Sequence, residues 1–295
     1  MVDITAKPIV SVIIPVYNDA ERLRKCLRAL KGQTYPGDRY SVIVVDNGST
    51  DDVESVARLF DNVVLEKEEQ KGVSAATNRG ISVSNGEVLA FTDSDCVPAP
   101  DWIEKGVEAL QKMRAPGIAC GRVELFFRDP DNLTAAELYE KIYAFRQEDY
   151  AKEGHCVTAN VFVPREVFEK TGFFDTALVT CQDKEWSERA VSAGYKLVYA
   201  GDAAVSHPAR HTLGDLAKKC RALTAGFHQL ERRGNYLRTF SAYVSSTFRD
   251  IRAVFSDRRL NGIGERIKVL LVIFFVRCVY VKEKIRLALE GGAAR

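Results

Sequence analysis

Four short apolar runs, rich in β-branched residues, alternate with segments of helical character in the first third of the chain. The runs lie near residues 9–15, 40–46, 62–67 and 87–93. The first segment between them places Leu23, Leu27 and Leu30 on one helical face. Strands that are apolar along their whole length and separated by helices are typical of a parallel sheet covered on both faces. The pattern predicts an α/β fold whose ligands bind at the carboxyl ends of the strands.

This alternation loosens after residue 100. Segments of helical, strand, polar helical and strand character follow near 101–113, 117–125, 132–150 and 157–163. The later part of the sheet is therefore expected to be mixed. Strand-like patterns stop at Pro208, which predicts a boundary near 208–214 between an α/β domain, 1–208, and a basic helical tail, 209–295.

Charge is distributed unevenly along the chain. Residues 1–208 hold 24 Lys or Arg and 33 Asp or Glu, a net charge of −9, whereas residues 209–295 hold 18 and 7, a net charge of +11. A basic helical tail can bind anionic lipid headgroups or nucleic acid, or it can simply be solvated. The basic residues are spread along apolar helical segments without a recognisable nucleic-acid motif, which argues against a nucleic-acid partner.

An apolar segment, 267–286, lies within this tail. Its mostly apolar stretch is about 15 residues long, shorter than the ~20 residues needed to span a bilayer. The segment also carries Lys268 and Arg277. Two alternatives remain: a helix that lies at a membrane surface or against a membrane partner, and a core or dimer helix.

The cysteines indicate the compartment. All seven are scattered and none are spaced as CxxC, which argues against a disulfide framework and against a zinc knuckle. The first residues show no basic start followed by an apolar stretch and a small-residue cleavage site. We therefore expect a cytoplasmic protein, whose tail could make it peripheral at the inner face of the cell membrane.

Polar groups follow three of the apolar runs directly, as PVYN at 15–18, DNGSTD at 46–51 and DSD at 93–95. Each motif alone would suit a turn or a helix cap. Three of them at one sheet edge instead predict a binding site, because a carboxylate at the end of a buried strand needs a partner. Paired aspartates suit Mg²⁺ or Mn²⁺, which prefer oxygen ligands together with substrate phosphates.

In their order and approximate spacing, several motifs resemble those of the family 2 glycosyltransferases, which have the nucleotide-sugar-binding fold called GT-A. The motifs are PVYN, VVDNGSTD, KGVSAATNRGI, FTDSDCVP, TGFFD and QDKEWSERAVSAGY. The resemblance covers about 15–208 and implies a catalytic GT-A-like mixed sheet flanked by helices, followed by a C-terminal helical extension.

The activity implied by this resemblance is a metal-dependent, inverting transfer of a hexosyl type. The donor would be a nucleoside diphosphate sugar, with a UDP-sugar favoured, and the cofactor Mg²⁺ or Mn²⁺. The basic tail suggests a saccharide or lipid-linked saccharide acceptor, and polysaccharide biosynthesis as the process.

The resemblance also implies roles for individual residues. The nucleotide-sugar pocket would be lined by Pro15, Tyr17, Asn18, Asp46, Asn47, Gly72, Asn78, Asp93 and Ser94. Asp95 would bind the metal, and Asp183 looks like the general base. His207 could complete the metal site or be structural, with His211 as a local competitor.

Three further residues are assigned to the acceptor side, namely Asn160, Asp175 and Trp186. Trp186 could stack on a sugar or belong to the core. The chain departs from the family pattern at Asn47 and Gln182, where Asp and Glu are common. The Asn47 amide oxygen could still accept a hydrogen bond from a base.

Two other classes of protein compete with a glycosyltransferase. A sugar nucleotidyltransferase would need a glycine-rich, basic triphosphate loop near the first strand, and PVYNDAERLRK lacks one. A non-catalytic nucleotide-sugar-binding protein or membrane scaffold would have no need of a base, so Asp183 together with Asp93 and Asp95 argues against that alternative.

Overall fold

A computed structural model describes residues 7–232 and 251–292. The strands are β1 Val10–Val16, β2 Tyr40–Asp46, β3 Val63–Lys67, β4 Val88–Thr92, β5 Val97–Pro98, β6 Gly117–Phe126, β7 Asn160–Pro164 and β8 Lys196–Pro208. The helices up to residue 192 are α1 Ala20–Lys31, α2 Val53–Ala57, α3 Val73–Val83, α4 Trp102–Gln111, α5 Ala135–Tyr143, α6 Gln147–Lys152, α7 Arg165–Thr171 and α8 Gln182–Ser192. The later helices are α9 Leu213–Arg232, α10 at 251–256 and α11 Gly262–Gly292.

The eight strands form one sheet in the order β3-β2-β1-β4-β7-β6-β8-β5. Strands β3, β2, β1 and β4 run parallel, whereas β7 is antiparallel to both β4 and β6. The prediction of a mixed α/β sheet is confirmed. Val16 pairs with Asp46 across β1 and β2, so the polar segments after these strands meet at one edge of the sheet.

Helices cover both faces of this sheet, as the apolar strands predicted. On one face, Val12 and Ile14 of β1 belong to the same buried cluster as Leu23 and Leu27 of α1. On the other face, Ile13 lies in a separate aromatic cluster with Phe91, Phe168, Phe174 and Trp186. Alternate residues of one strand thus belong to two cores, which fixes the register of β1.

Asn160 is a fully buried polar link at the start of β7. Its amide oxygen accepts a hydrogen bond from the Trp102 indole at 2.8 Å, and its NH₂ group donates to the carbonyls of Arg122 at 2.8 Å and Ala203 at 2.9 Å. A Cβ on Gly121 would lie 2.3 Å from this amide. One side chain therefore joins α4 to three strands of the sheet.

The chain divides into two compact units. The first contains residues up to Glu124, Phe145–Ala177 and Gln182–His207, and the second contains Leu125–Ala144, Leu178–Cys181 and the chain from Pro208 onward. The sequence pattern had indicated one boundary only, near 208–214, and did not anticipate that two earlier segments join the second unit. The functional division into a catalytic domain, 1–208, and a membrane-surface or dimer tail, 209–295, stays a prediction.

The second unit is helical around α5, α9 and α11. Ala136, Leu216 and Val272 form one buried cluster between these helices. Helix α5 begins with a capping box, in which Thr134 and Glu137 satisfy each other's backbone N–H groups. Among the described residues, no helix combines the length and the apolar character needed to cross a bilayer.

We expect Asn160→Ala to lower the free energy of unfolding by about 3 kcal/mol or more, because it leaves one indole N–H and two carbonyls buried without partners. Chemical denaturation of the full chain measures this change. Asn85→Ala, in an exposed turn, is the control and should shift the value by less than about 0.5 kcal/mol. Equal stability of the two variants would contradict the structural role of Asn160.

Candidate functional site

The ends of β1 and β2 are joined by side-chain to backbone hydrogen bonds. Asn18 lies in the left-handed region at φ 52°, which asparagine tolerates better than most residues. Its Oδ1 accepts hydrogen bonds from the backbone N–H of Thr50 at 2.7 Å and from its hydroxyl at 3.1 Å, while its own N–H donates to Ser49 Oγ at 2.9 Å. The two loops therefore form one continuous rim at the sheet edge, next to the half-buried Pro15.

Asp46 and Asn47 end β2 and organise the loops around them. Asp46 Oδ1 accepts a hydrogen bond from the Ser49 N–H at 2.9 Å. The NH₂ group of Asn47 donates to the carbonyls of Glu68 at 2.9 Å and Gln70 at 2.8 Å, and its oxygen accepts from the Gly72 N–H at 2.8 Å. Both N–H groups of this amide and one acceptor site of its oxygen are thus used within the chain.

This arrangement bears on one sequence-based expectation. The Asn47 oxygen accepts the Gly72 N–H in this structure, and its expected hydrogen bond with a nucleotide base, which would use the second lone pair, stays a prediction. An aspartate at position 47 would face two carbonyl oxygens with a carboxylate, which has no donor to offer them. Asparagine is therefore the residue type that fits the segment 68–72 as it lies in this protein.

Lys71 was not identified from the sequence, although it directly precedes Gly72 in the KGVSAATNRGI motif. Its Nζ donates to the carbonyls of Asn47 at 3.2 Å and Gly48 at 3.4 Å, and lies 5.4 Å from the centroid of the Tyr17 ring. The Tyr17 side chain is 59% exposed. An exposed aromatic face beside an ammonium can bind a planar, electron-rich group such as a nucleobase.

Asp93, Asp95 and His207 lie together at the end of β4. The short strand β5 pairs antiparallel with the end of β8, with Val97 opposite Ser206. His207, the next residue of β8, therefore lies beside the DSD segment that precedes β5. His207 Nε2 lies 3.4 Å from Asp95 Oδ1. One ligand atom from each of the three residues lies within 4.8 Å of the other two. His207 is 5% exposed, and its ring packs against the Phe145 ring with centroids 4.4 Å apart.

The donor set fits a small divalent cation. Two ligand atoms that are each about 2.1 Å from one Mg²⁺ ion are at most about 4.2 Å apart, so a spread of 4.8 Å needs only small side-chain movements. Two carboxylates and one imidazole suit Mn²⁺ as well as Mg²⁺.

Asp19 and Arg22 complete this cluster and were missed in the sequence. The Arg22 guanidinium contacts Asp19 Oδ1 through Nε at 2.5 Å and Asp95 Oδ2 through a terminal nitrogen at 3.3 Å. Ser94, expected in the nucleotide pocket, donates its hydroxyl to Asp19 Oδ2 at 2.8 Å. Burial raises the pKa of Asp19, and hydrogen bonds from Arg22 and Ser94 oppose that rise. The Arg22 guanidinium therefore forms an ion pair with Asp95, the carboxylate expected to bind the metal.

Asp183 lies in the first turn of α8 and is partly exposed. Its Oδ1 accepts a hydrogen bond from the Lys184 N–H at 2.8 Å. The neighbouring Gln182 is buried, and its Oε1 has no hydrogen-bond partner among the described residues. Cys181 just before it has φ 65°, a rare conformation for a side-chain-bearing residue that often occurs at functional sites.

Four residues expected at the site are buried or make hydrogen bonds with other parts of the chain. Asn78 binds both backbone groups of Phe174, at 2.8 and 3.0 Å. Asp175 accepts a hydrogen bond from the Ala177 N–H. Asn160 and Trp186 are buried, and Trp186 stacks on Phe168 with ring centroids 4.2 Å apart. The burial of Trp186 matches the alternative in which it belongs to the core, and the acceptor-side role expected of Asn160 stays a prediction.

Similarity to known proteins covers much of the chain. Residues 11–172 match the family described as Glycosyl transferase family 2. The chain is 44% identical over 218 residues to the glycosyltransferase AglE of Haloferax volcanii. The aligned region covers 72% of this chain and 70% of that protein. It is 24% identical over 241 residues to a dolichyl N-acetyl-alpha-D-glucosaminyl phosphate 3-beta-D-2,3-diacetamido-2,3-dideoxy-beta-D-glucuronosyltransferase of Methanococcus voltae. That alignment covers 77% of this chain and 75% of the other protein.

Solved structures share the fold. The mannosyltransferase PcManGT from Pyrobaculum calidifontis, in complex with GDP-Man and Mn²⁺, superposes with a TM-score of 0.65 at 19% identity, over 95% of this chain and 88% of that chain. S. aureus TarS 1-349, in complex with UDP, gives a TM-score of 0.53 at 16% identity, over 73% and 64%. At these identities the likeness establishes the fold alone.

We expect Arg22→Ala to raise the affinity for Mn²⁺ alone by roughly threefold to fivefold, because the substitution removes a resident cation from Asp95 at a partly exposed ion pair. Isothermal titration with Mn²⁺ measures this directly. Arg28→Ala, exposed on the same helix, is the matched control and should leave the affinity unchanged. A lower Mn²⁺ affinity in Arg22→Ala would show that the guanidinium supports the cation pocket and does not compete for it.

Proposed function

The chain belongs to glycosyl transferase family 2 and has the GT-A fold, and from that premise we propose that it catalyses a metal-dependent, inverting sugar transfer. The donor is a nucleoside diphosphate sugar and the acceptor a saccharide or lipid-linked saccharide. The observation that carries the proposal is the group of Asp93, Asp95 and His207 at the carboxyl edge of the sheet. The resemblance inferred from the sequence motifs is confirmed by the family match.

The nucleotide of the donor would bind along the rim formed by the ends of β1 and β2. Tyr17 offers an exposed ring, and Lys71 lies beside it. Asn18, Asp46, Asn47 and Gly72 would act mainly by holding this rim in place, since their polar groups bond to neighbouring loops. We keep a UDP-sugar as the first candidate donor and a GDP-sugar as its competitor, because similar folds hold each of these nucleotides.

Asp95 and His207 would hold the divalent cation, with Asp93 beside them. A bound Mg²⁺ or Mn²⁺ would neutralise the charge that develops on the diphosphate as it leaves. The chain's own contribution is to concentrate carboxylates at this point and to keep His207 buried against Phe145. Once displaced from Asp95, the Arg22 guanidinium would still be held by Asp19 and would have a donor to offer a phosphate oxygen.

Asp183 is the proposed general base. Its carboxylate would take the proton from an acceptor hydroxyl while that oxygen forms a bond to the anomeric carbon of the donor sugar. The bond from this carbon to the diphosphate breaks, and its electron pair leaves with the diphosphate. A single displacement of this kind inverts the anomeric centre, and it needs one base rather than the two carboxylates of a glycosidase.

The second unit suggests where the reaction takes place. Its tail has a net charge of +11 over 209–295, which suits an acceptor held at an anionic membrane surface. We therefore propose a role in polysaccharide biosynthesis, peripheral to the inner face of the cell membrane. A non-catalytic nucleotide-sugar-binding or scaffold protein is the competing function, and it differs in that Asp183 would have no effect on turnover.

Asp183→Asn tests the base. We expect the transfer rate to fall on the order of 10²- to 10⁴-fold, because the amide cannot accept the proton, while donor affinity stays unchanged. Product formation from radiolabelled donor sugars, measured beside the exposed control Glu169→Gln, gives the rate. Undiminished turnover in Asp183→Asn would exclude it as the base.

Asp95→Ala tests the cation site in a readout independent of turnover. With Mn²⁺ present, UDP or GDP at about 100 times its Kd should stabilise the native chain by about 2.7 kcal/mol and raise its Tm. We expect the variant to lose the part of this shift that depends on Mn²⁺. The exposed control Asp202→Ala should keep it, and an equal Mn²⁺-dependent shift in both variants would remove Asp95 from the metal site.

A further inference from the structure

Helix α11, Gly262–Gly292, has two apolar faces on opposite sides. One is buried within the second unit and includes Val269, Val272 and Ile273. The other forms a continuous exposed stripe, here named the outer stripe, of Ile263, Ile267, Leu271, Phe274, Cys278, Val281, Ile285 and Leu289. With successive residues ~100° apart around the axis, these positions recur every three or four residues on one side.

The exposure of the outer stripe is unusual for a surface in water. Its seven large apolar side chains are between 40% and 70% exposed. Apolar residues scattered singly over a surface are ordinary, whereas a contiguous apolar stripe marks an interaction site. At ~1.5 Å per residue, a stripe that extends from Ile263 to Leu289 is about 40 Å long.

Charged residues of α11 are sorted around this stripe. Lys268, Lys282 and Arg286 are exposed along one edge of it. Arg266, Arg277 and Lys284 lie along the other edge at the same helical spacing. The acidic residues of the helix, Glu265, Glu283 and Glu290, lie on the half that carries the buried face. The outer half therefore carries apolar and basic side chains without an acidic one.

This charge pattern selects among the possible partners of the outer stripe. A second copy of the same helix would bring its own Lys268 and Lys282 against those of the first, and neither copy has an acidic residue on that half to offset them. An anionic lipid surface offers the complementary charge for the exposed Lys268 and Lys282 and an apolar layer for the stripe beside them. On the other edge, Lys284 is paired with Glu231 and Arg266 donates to backbone carbonyls, so Lys268 and Lys282 carry the electrostatic part. A helix lying along such a surface would present the outer stripe to the apolar layer and the two lysines to the headgroups.

We propose that the outer stripe of α11 inserts into the boundary between headgroups and acyl chains of an anionic membrane. Leu271, Phe274 and their neighbours enter the acyl layer, while Lys268 and Lys282 extend their ammonium groups to the lipid phosphates. This inference deepens the proposed function by naming the surface that contacts the membrane. It does not depend on catalysis, because the stripe is described by itself within the second unit.

The experiment is co-sedimentation of the full chain with vesicles of phosphatidylcholine alone and of phosphatidylcholine mixed with phosphatidylglycerol. We expect binding to the mixed vesicles that weakens as salt is added. Leu271→Glu together with Phe274→Glu should reduce the partition coefficient at least ~10-fold, because anions replace two apolar side chains that would be inserted in the acyl layer. Lys268→Glu together with Lys282→Glu should reduce it by a similar factor or more, at roughly fivefold for each positive charge removed.

Matched controls carry the same substitutions outside α11. Leu59→Glu with Val64→Glu replaces two exposed apolar residues of the first unit, and Lys31→Glu with Lys196→Glu replaces two exposed lysines. Both controls should bind vesicles as the unmodified chain does. Arg286 is left unchanged because it forms an ion pair with the buried Glu283.

Cys278 gives a second readout without a charged substitution. It is the exposed thiol among the seven cysteines and lies within the outer stripe. An environment-sensitive fluorophore on Cys278 should shift to the blue with the mixed vesicles and be quenched by a quencher attached to the acyl chains. Quenching only by a water-soluble quencher would overturn the proposal.

Two other outcomes would also overturn it and would identify a different occupant. Sedimentation of the unmodified chain as a dimer that Leu271→Glu with Phe274→Glu converts to a monomer, with vesicle binding unaffected, would assign the stripe to a second copy. Absence of any effect in both measurements would assign it to a contact within the chain. The nucleotide-dependent Tm shift, measured on the same variants, separates either result from a failure of the proposed function.

Discussion

The parallel alignment of β1 with β2 and β4 is the constraint on which the site depends. Backbone hydrogen bonds fix the register of these strands. Because the strands are parallel, the residues that follow them all lie at the same edge of the sheet. The sheet interior is apolar, so the first polar residues along each strand are also the first that water or a ligand can reach. Carboxylates that would be costly within the sheet become usable at its edge, where cations and loop N–H groups can compensate them.

Side-chain amides hold the loops and strands around this edge in place. Asn47 and Asn78 each donate to and accept from the main chain. The fully buried Asn160 donates to two carbonyls and accepts the Trp102 indole N–H. A carboxylate could not do this at neutral pH, because it has no donor. Hydrogen bonds removed from water, as at Asn47 and Asn160, are stronger than exposed ones and costly to lose.

Sequence reasoning reached the sheet, its polar edge and the residues near β4, because periodicity and strand-end motifs report local geometry. It did not find Arg22, whose role follows from a contact with Asp95 that is 73 residues away in the chain. It could not tell that Asn160 and Trp186 are buried, because motif position says nothing about burial. The β5 to β8 pairing that places His207 involves a strand of two residues, too short to leave a periodic signal.

The amide of Asn47 also couples the end of β2 to the segment 68–72. Its NH₂ group supplies the donors for the carbonyls of Glu68 and Gln70, and its oxygen accepts the Gly72 N–H. An aspartate here would confront those carbonyls with further acceptors. Residue 47 and the segment 68–72 are thus one structural unit, so an exchange that keeps their hydrogen bonds has to replace the strand end and the loop together.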